Sequence, residues 1–75
     1  MNVFEKMRRE LPPAFYRTEV SKLIPGENPK SLANYDSAGM GPRGAVKIGR
    51  KVLYDRDGFI DWLMQKAGEV IEDDR

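Results

Sequence analysis

Four cations, Arg43, Lys47, Arg50 and Lys51, lie between Ser37 and Tyr54 with no acid among them. Three of these fall within five residues, around Gly49. The chemistry such a set supports is attraction of a polyanion, because a local field of one sign steers phosphates even when the whole molecule is near neutral. The whole chain is near neutral, with 13 Lys and Arg against 12 Asp and Glu, so the distribution carries the information. Residues 1–56 hold 11 Lys and Arg against 6 Asp and Glu, whereas residues 57–75 hold 2 against 6. A solubilising turn is the competing explanation, since edge hairpins carry Lys and Arg to discourage aggregation. Charge by itself leaves the two evenly matched.

Other chemistries have fewer residues to work with. The chain has no cysteine, so neither a disulfide framework nor a thiolate metal site is available. It has no histidine, which removes the commonest general base and the commonest metal ligand. Asp55, Asp57 and Asp61 are the only near-clustered carboxylates, and they stand at a helix start, where capping and the helix dipole account for them. Gly39-Met40-Gly41-Pro42-Arg43-Gly44 satisfies G-x-G-x-x-G literally. The dinucleotide fingerprint needs a strand before it and a helix after it, and the pattern here runs the other way. These residues point to a binding module rather than an enzyme, with no metal, cofactor or small-molecule substrate. Seventy-five residues allow one domain with one small core. No apolar run approaches the ~20 residues that span a bilayer. Met1–Glu10 is charged throughout and unlike a signal peptide, so the expected location is the cytoplasm.

The cations must be positioned by short elements. Asn2 to Leu11 predicts a helix, capped by Asn2 with Glu5 three residues on. Val3, Phe4, Met7 and Leu11 form one apolar stripe, which packs on the core or, alternatively, serves self-association. Pro12-Pro13 ends that helix. Phe15 to Ile24 predicts a second helix with Thr18 as its best N-cap, Val20, Leu23 and Ile24 inward, and Arg17, Ser21 and Lys22 outward. Pro25-Gly26 breaks the chain. Asn28-Pro29 starts a third helix that runs to about Ser37, with Leu32 and Tyr35 inward and Gly39 placed to end it. Two short helices about a tight break make a helix-turn-helix, whose second helix reaches base edges from its first turn.

Ala45 to Tyr54 predicts a hairpin. A three-residue loop, Gly49-Arg50-Lys51, would set Val46, Ile48, Val52 and Tyr54 on one core-facing side and turn Lys47 outward. Asp55 caps a last helix that runs to about Val70 on Phe59, Ile60, Leu63, Ala67 and Val70, with Trp62 beside the stripe as a core anchor.

The order helix-turn-helix, basic hairpin, then D-x-x-F-x-x-W-L resembles the winged-helix domains of phage and plasmid excisionases. It is also similar to the AlpA-type prophage regulators, all within the broad MerR-like superfamily. Ile48-Gly49-Arg50-Lys51-Val52 carries the resemblance for the wing, and Asp57, Phe59, Trp62 and Leu63 for the closing helix. Asn28-Pro29-Lys30-Ser31-Leu32 carries it for the start of the recognition helix. It covers about residues 15–65. The turn Pro25-Gly26-Glu27 and the connector Gly39–Gly44 are longer than the family pattern, and the first helix lies outside it.

The resemblance implies an α+β fold, a small winged helix-turn-helix of three to four short helices with a two-stranded β-hairpin wing. Residues 1–14 would form an N-terminal helical extension, 15–68 the DNA-binding domain, and 69–75 a frayed acidic tail. It implies a sequence-specific binder of double-stranded DNA, acting as an excisionase or as a small transcriptional regulator. Lys30, Ser31 and Asn34 would contact base edges or phosphates, Asn34 being suited to adenine. Arg50 and Lys51 would be wing contacts with Lys47 and Arg43 as phosphate neighbours, and Arg17 and Lys22 would clamp the backbone. Partners would be DNA, an integrase or recombinase, and further copies of the chain, because a single module buries only about 600–1,000 Å² on DNA. The alternative is a protein-interaction adaptor on the same scaffold.

Overall fold

The structure is a computed structural model and describes residues 2–67. Among these residues, four helices and a three-stranded antiparallel sheet build a small α+β fold of winged-helix type. The first helix, α1, spans Val3–Glu10. Asn2 Oδ1 accepts from the Glu5 N–H at 3.0 Å and Glu5 Oε1 accepts from the Asn2 N–H at 3.1 Å, the reciprocal box expected from the sequence. Phe4 and Met7 pack against the core and Leu11 is buried in it, so most of the stripe faces inward, while Val3 stays 60% exposed.

The expected second helix, Phe15 to Ile24, is only half helix. Ala14–Tyr16 is a strand, β1, followed by a 3₁₀ turn at Arg17–Glu19 and a single-turn helix, α2, at Val20–Leu23. Two prolines leave the chain extended as it reaches Phe15, and the aromatic pair then finds a better partner in another strand than in a helix. Phe15 opposes Tyr54 and Tyr16 opposes Leu53. Thr18 is no cap. The Tyr16 N–H instead donates to Glu19 Oε1 at 3.3 Å. The two-stranded hairpin is thereby joined by β1 into a three-stranded sheet.

Gly26, at φ +100°, turns the chain toward the next helix, α3, at Pro29–Ser37. Strands β2 (Val46–Ile48) and β3 (Lys51–Asp55) form the hairpin, and the sheet order is β1-β3-β2. Helix α4 follows directly at Arg56–Lys66, with Asp55 Oδ2 accepting from the Gly58 N–H at 2.8 Å. It ends at Ala67, which takes an extended conformation and is exposed rather than part of the stripe. The expected continuation to Val70 and the acidic tail at 69–75 lie outside the described residues.

One aromatic cluster makes the core. Phe59 lies edge-on to Phe15, Tyr54 and Trp62 at centroid distances of 5.3, 5.4 and 5.5 Å. Val20, Leu32 and Ile60 fill the gaps between them and are fully buried. Each such aromatic contact adds about 1 kcal/mol beyond the area it buries. Helix α1 lies antiparallel along α4: Leu11 O accepts from Arg56 at the start of α4, and Arg8 reaches Asp57 and Asp61 further along. The hydrogen bond from Arg56, reinforced by Arg8, holds the Asp57 carboxyl below its ordinary range.

Candidate nucleic-acid interface

Helix α3 is built to show a polar face. Asn28 Oδ1 accepts from the Lys30 N–H at 2.7 Å and Pro29 occupies the first turn, where its missing donor costs nothing. Leu32 is buried, so Lys30, Ser31 and Asn34 are turned to solvent. At the far end Gly39, at φ +73°, closes the helix. Its N–H donates to Asp36 O at 3.1 Å and that of Met40 to Tyr35 O at 2.9 Å, the paired bonds of a left-handed glycine cap.

The hairpin register differs from the expectation and changes which cation points where. Ile48 pairs with Lys51, Lys47 with Val52 and Val46 with Leu53, so the loop is the two residues Gly49-Arg50. Gly49 has φ +61° and Arg50 has a negative φ, the pattern of a tight turn with glycine first. That turn matches the twist of the strands, and this outweighs the burial a longer loop would gain. Residues directly opposed across a pair share a face. Only Val52 and Tyr54 therefore face inward. Val46 and Ile48 are left 53% and 49% exposed on the outer face. Lys47, expected outward, lies on the Val52 side, toward α3.

A groove of about 370 Å³ between α3 and the hairpin results. Ala33, Asp36 and Ser37 line it from the helix, Lys47 and Arg50 from the hairpin, and Arg17 from below. A second depression, on another face of α3, is lined by Ser31, Asn34 and Tyr35. Among the sequence-derived site residues, the structure thus brings Lys47 and Arg50 together in the groove, while Lys30, Ser31 and Asn34 are exposed on α3.

Of the remaining four, three lie elsewhere and Arg17 lines the groove as a paired residue. Lys51 lies on the outer sheet face with its Nζ 5.2 Å from the centre of the Tyr16 ring. Arg43 lines a cleft with Asp61 and Trp62, and Lys22 lines an apolar groove against α1. Arg17 is held inside. Its guanidinium pairs with Asp36 Oδ2 at 2.5 Å and donates to the Tyr54 hydroxyl at 3.1 Å. Burial works against its charge, but the bonds to Tyr54 and Asp36 prevail and the guanidinium pKa stands above its ordinary value. Tyr54 in turn donates to Asp36 Oδ2 at 2.5 Å. Burial pushes the Tyr54 phenol up to about 12, with Arg17 pulling against that shift and Asp36 adding to it.

Sequence reasoning missed Asp36, which ties α3 to both β3 and the turn before α2. The signal was there: Asp36 falls one helical turn after Leu32, on the inward face, and a carboxylate so placed needs partners. The connector also packs against α4. Trp62 Nε1–H donates to Met40 O at 2.8 Å, Pro42 is buried, and a Cβ on Gly58 would strike the Arg43 carbonyl oxygen. The G-x-G-x-x-G run is therefore a packed strap with a helix before it and a strand after it. No group of three or more potential metal-ligating side chains forms among the described residues, and none of their helices is long and apolar enough to cross a membrane.

Comparison with known proteins returns no family model, no curated protein and no solved structure that matches the chain.

Proposed function

We propose that this chain binds double-stranded DNA in a sequence-specific manner, as an excisionase-like recombination factor or a small transcriptional regulator. Helix α3 enters the major groove with Lys30, Ser31 and Asn34, and the hairpin lies over the adjoining backbone. One observation carries the proposal: Lys47 and Arg50 line one groove beside α3 and, like the exposed Lys30 on that helix, have no acidic partner among the described residues, whereas Arg8, Arg17 and Arg56 are all paired. Charges left unpaired are available to phosphates, while paired ones serve the scaffold. The module's small contact area favours more than one copy per site.

Affinity for duplex DNA should fall linearly with the logarithm of salt concentration, and Arg50→Ala should lower that slope by about one unit. A gel-shift or fluorescence titration at several salt concentrations measures it. Absence of any shift at low ionic strength rejects the proposal.

The second reading, a protein-interaction adaptor, is favoured by the exposure of Val3, Val46 and Ile48. It predicts that charge changes at these apolar positions abolish function while neutralising Arg50 and Lys51 does nothing.

A further inference from the structure

The groove between α3 and the hairpin holds more than a general positive field. We infer that it is a seat for a single phosphate group, bound by Lys47 and Arg50 with the Ser37 hydroxyl as a third donor. The inference rests on the DNA-binding proposal for its biological ligand, a backbone phosphodiester, but the site itself is defined by the groove.

Three features carry it. First, the two-residue turn sends Lys47 and Arg50 to the α3 side of the hairpin, while Lys51, their neighbour in sequence, is turned to the other face against Tyr16. Strand alternation thus puts Lys47 and Lys51 on opposite faces, and the turn residue Arg50 lines the groove on the Lys47 side. Second, the one acid in the groove is already neutralised. Asp36 Oδ2 takes hydrogen bonds from Arg17 and Tyr54, and Oδ1 lies against Gly41, where a Cβ would collide with it. The Arg17–Asp36 pair contributes no net charge, so the two hairpin cations set the sign of the groove. Third, the helix side of the groove is small and polar. Ala33 leaves room for a phosphate to approach, and Ser37, exposed in the last turn of α3, offers an O–H donor. An arginine fork and a lysine point charge lining one groove suit the oxygens of a phosphate, which accepts several charge-assisted hydrogen bonds at once. Arg17 is then a positioning residue: it cancels Asp36 and touches no phosphate.

The experiment uses the full chain with two probes, inorganic phosphate and a random-sequence 30-base-pair duplex. Lys47→Gln, Arg50→Gln and Lys51→Gln are compared, with thermal unfolding as a control for folding. Phosphate titrated at low ionic strength should shift NMR resonances of Ser37, Lys47 and Arg50, and Lys47→Gln should remove the effect. On the duplex, Lys47→Gln and Arg50→Gln should each lower the salt slope by about one unit, and Lys51→Gln should leave it unchanged. Equal losses in Lys47→Gln and Lys51→Gln overturn the seat, because a diffuse field would not distinguish the two faces. Phosphate shifts spread over the surface overturn it as well. Duplex binding with an undiminished slope in Lys47→Gln removes the seat and leaves the DNA proposal standing. Phosphate seated in the groove without duplex binding removes the DNA proposal and leaves the seat.

Discussion

Two sets of cations in the molecule behave differently. Arg8, Arg17 and Arg56 are tied to Asp57, Asp61 and Asp36 and hold elements together: α1 to α4, and α3 to the sheet. Lys30, Lys47 and Arg50 stand without acidic partners along α3 and the hairpin. The first group is arginine throughout, in keeping with a planar fork that can satisfy two acceptors at once. The second group gains nothing for the fold, since isolated exposed charges contribute little to stability. The difference teaches that sequence charge alone is a poor guide to a binding face. Arg17 and Arg50 are indistinguishable as letters, yet one is a strut and the other is offered to solvent.

This contrast can be broken from the scaffold side first. Asp36→Ala should cost about 2–3 kcal/mol, because it strips both Arg17 and the Tyr54 hydroxyl of their acceptor in a half-buried site. Thermal unfolding should fall by roughly 10 °C or more in a domain of this size. A change near zero would mean that the paired set is not structural.

Alkaline unfolding tests the same network without mutation. The Tyr54 phenol titrates at about 12 in the fold against an ordinary value of 10. A group raised on folding stabilises the fold fully below its unfolded pKa and loses that contribution as pH rises through the folded one. The contribution, on the order of 2 kcal/mol, should therefore persist to about pH 10 and disappear by about pH 12. Denaturant midpoints of the parent and Tyr54→Phe should converge across that window. Parallel curves would contradict the coupling.

A smaller effect belongs to the start of α3. Asn28→Ala removes the cap on the Lys30 N–H and should cost about 1 kcal/mol, measurable in urea. Because it loosens the first turn that presents Lys30 and Ser31, duplex affinity should fall along with stability. The smallest stability effect marks the unpaired set. Lys30→Gln should change stability by no more than about 0.5 kcal/mol while still lowering the salt slope of DNA binding. A large loss of stability would move Lys30 into the scaffold class.

Much of this was legible from local chemistry. Asn2 with Glu5, Asn28 with Pro29, Gly39 and Asp55 mark helix ends through bonds that span three or four residues, and all four stand where the sequence puts them. The inward positions of Leu32, Phe59 and Trp62 follow from helical spacing. Three things were not local. Phe15 and Tyr16 are strand because β3, about 38 residues on, offers them a partner. The loop is two residues because strand twist outweighed the burial of Val46 and Ile48, which sent Lys47 to the α3 side. Arg17 is a strut because Asp36 and Tyr54 converge on it from distant positions. Sequence by itself determined where the helices start and stop and that positive charge gathers around Gly49, since those depend on near neighbours and composition. Which cations are bound inward and which remain for a ligand was decided only by tertiary structure, because a charge is neutralised by what reaches it in space.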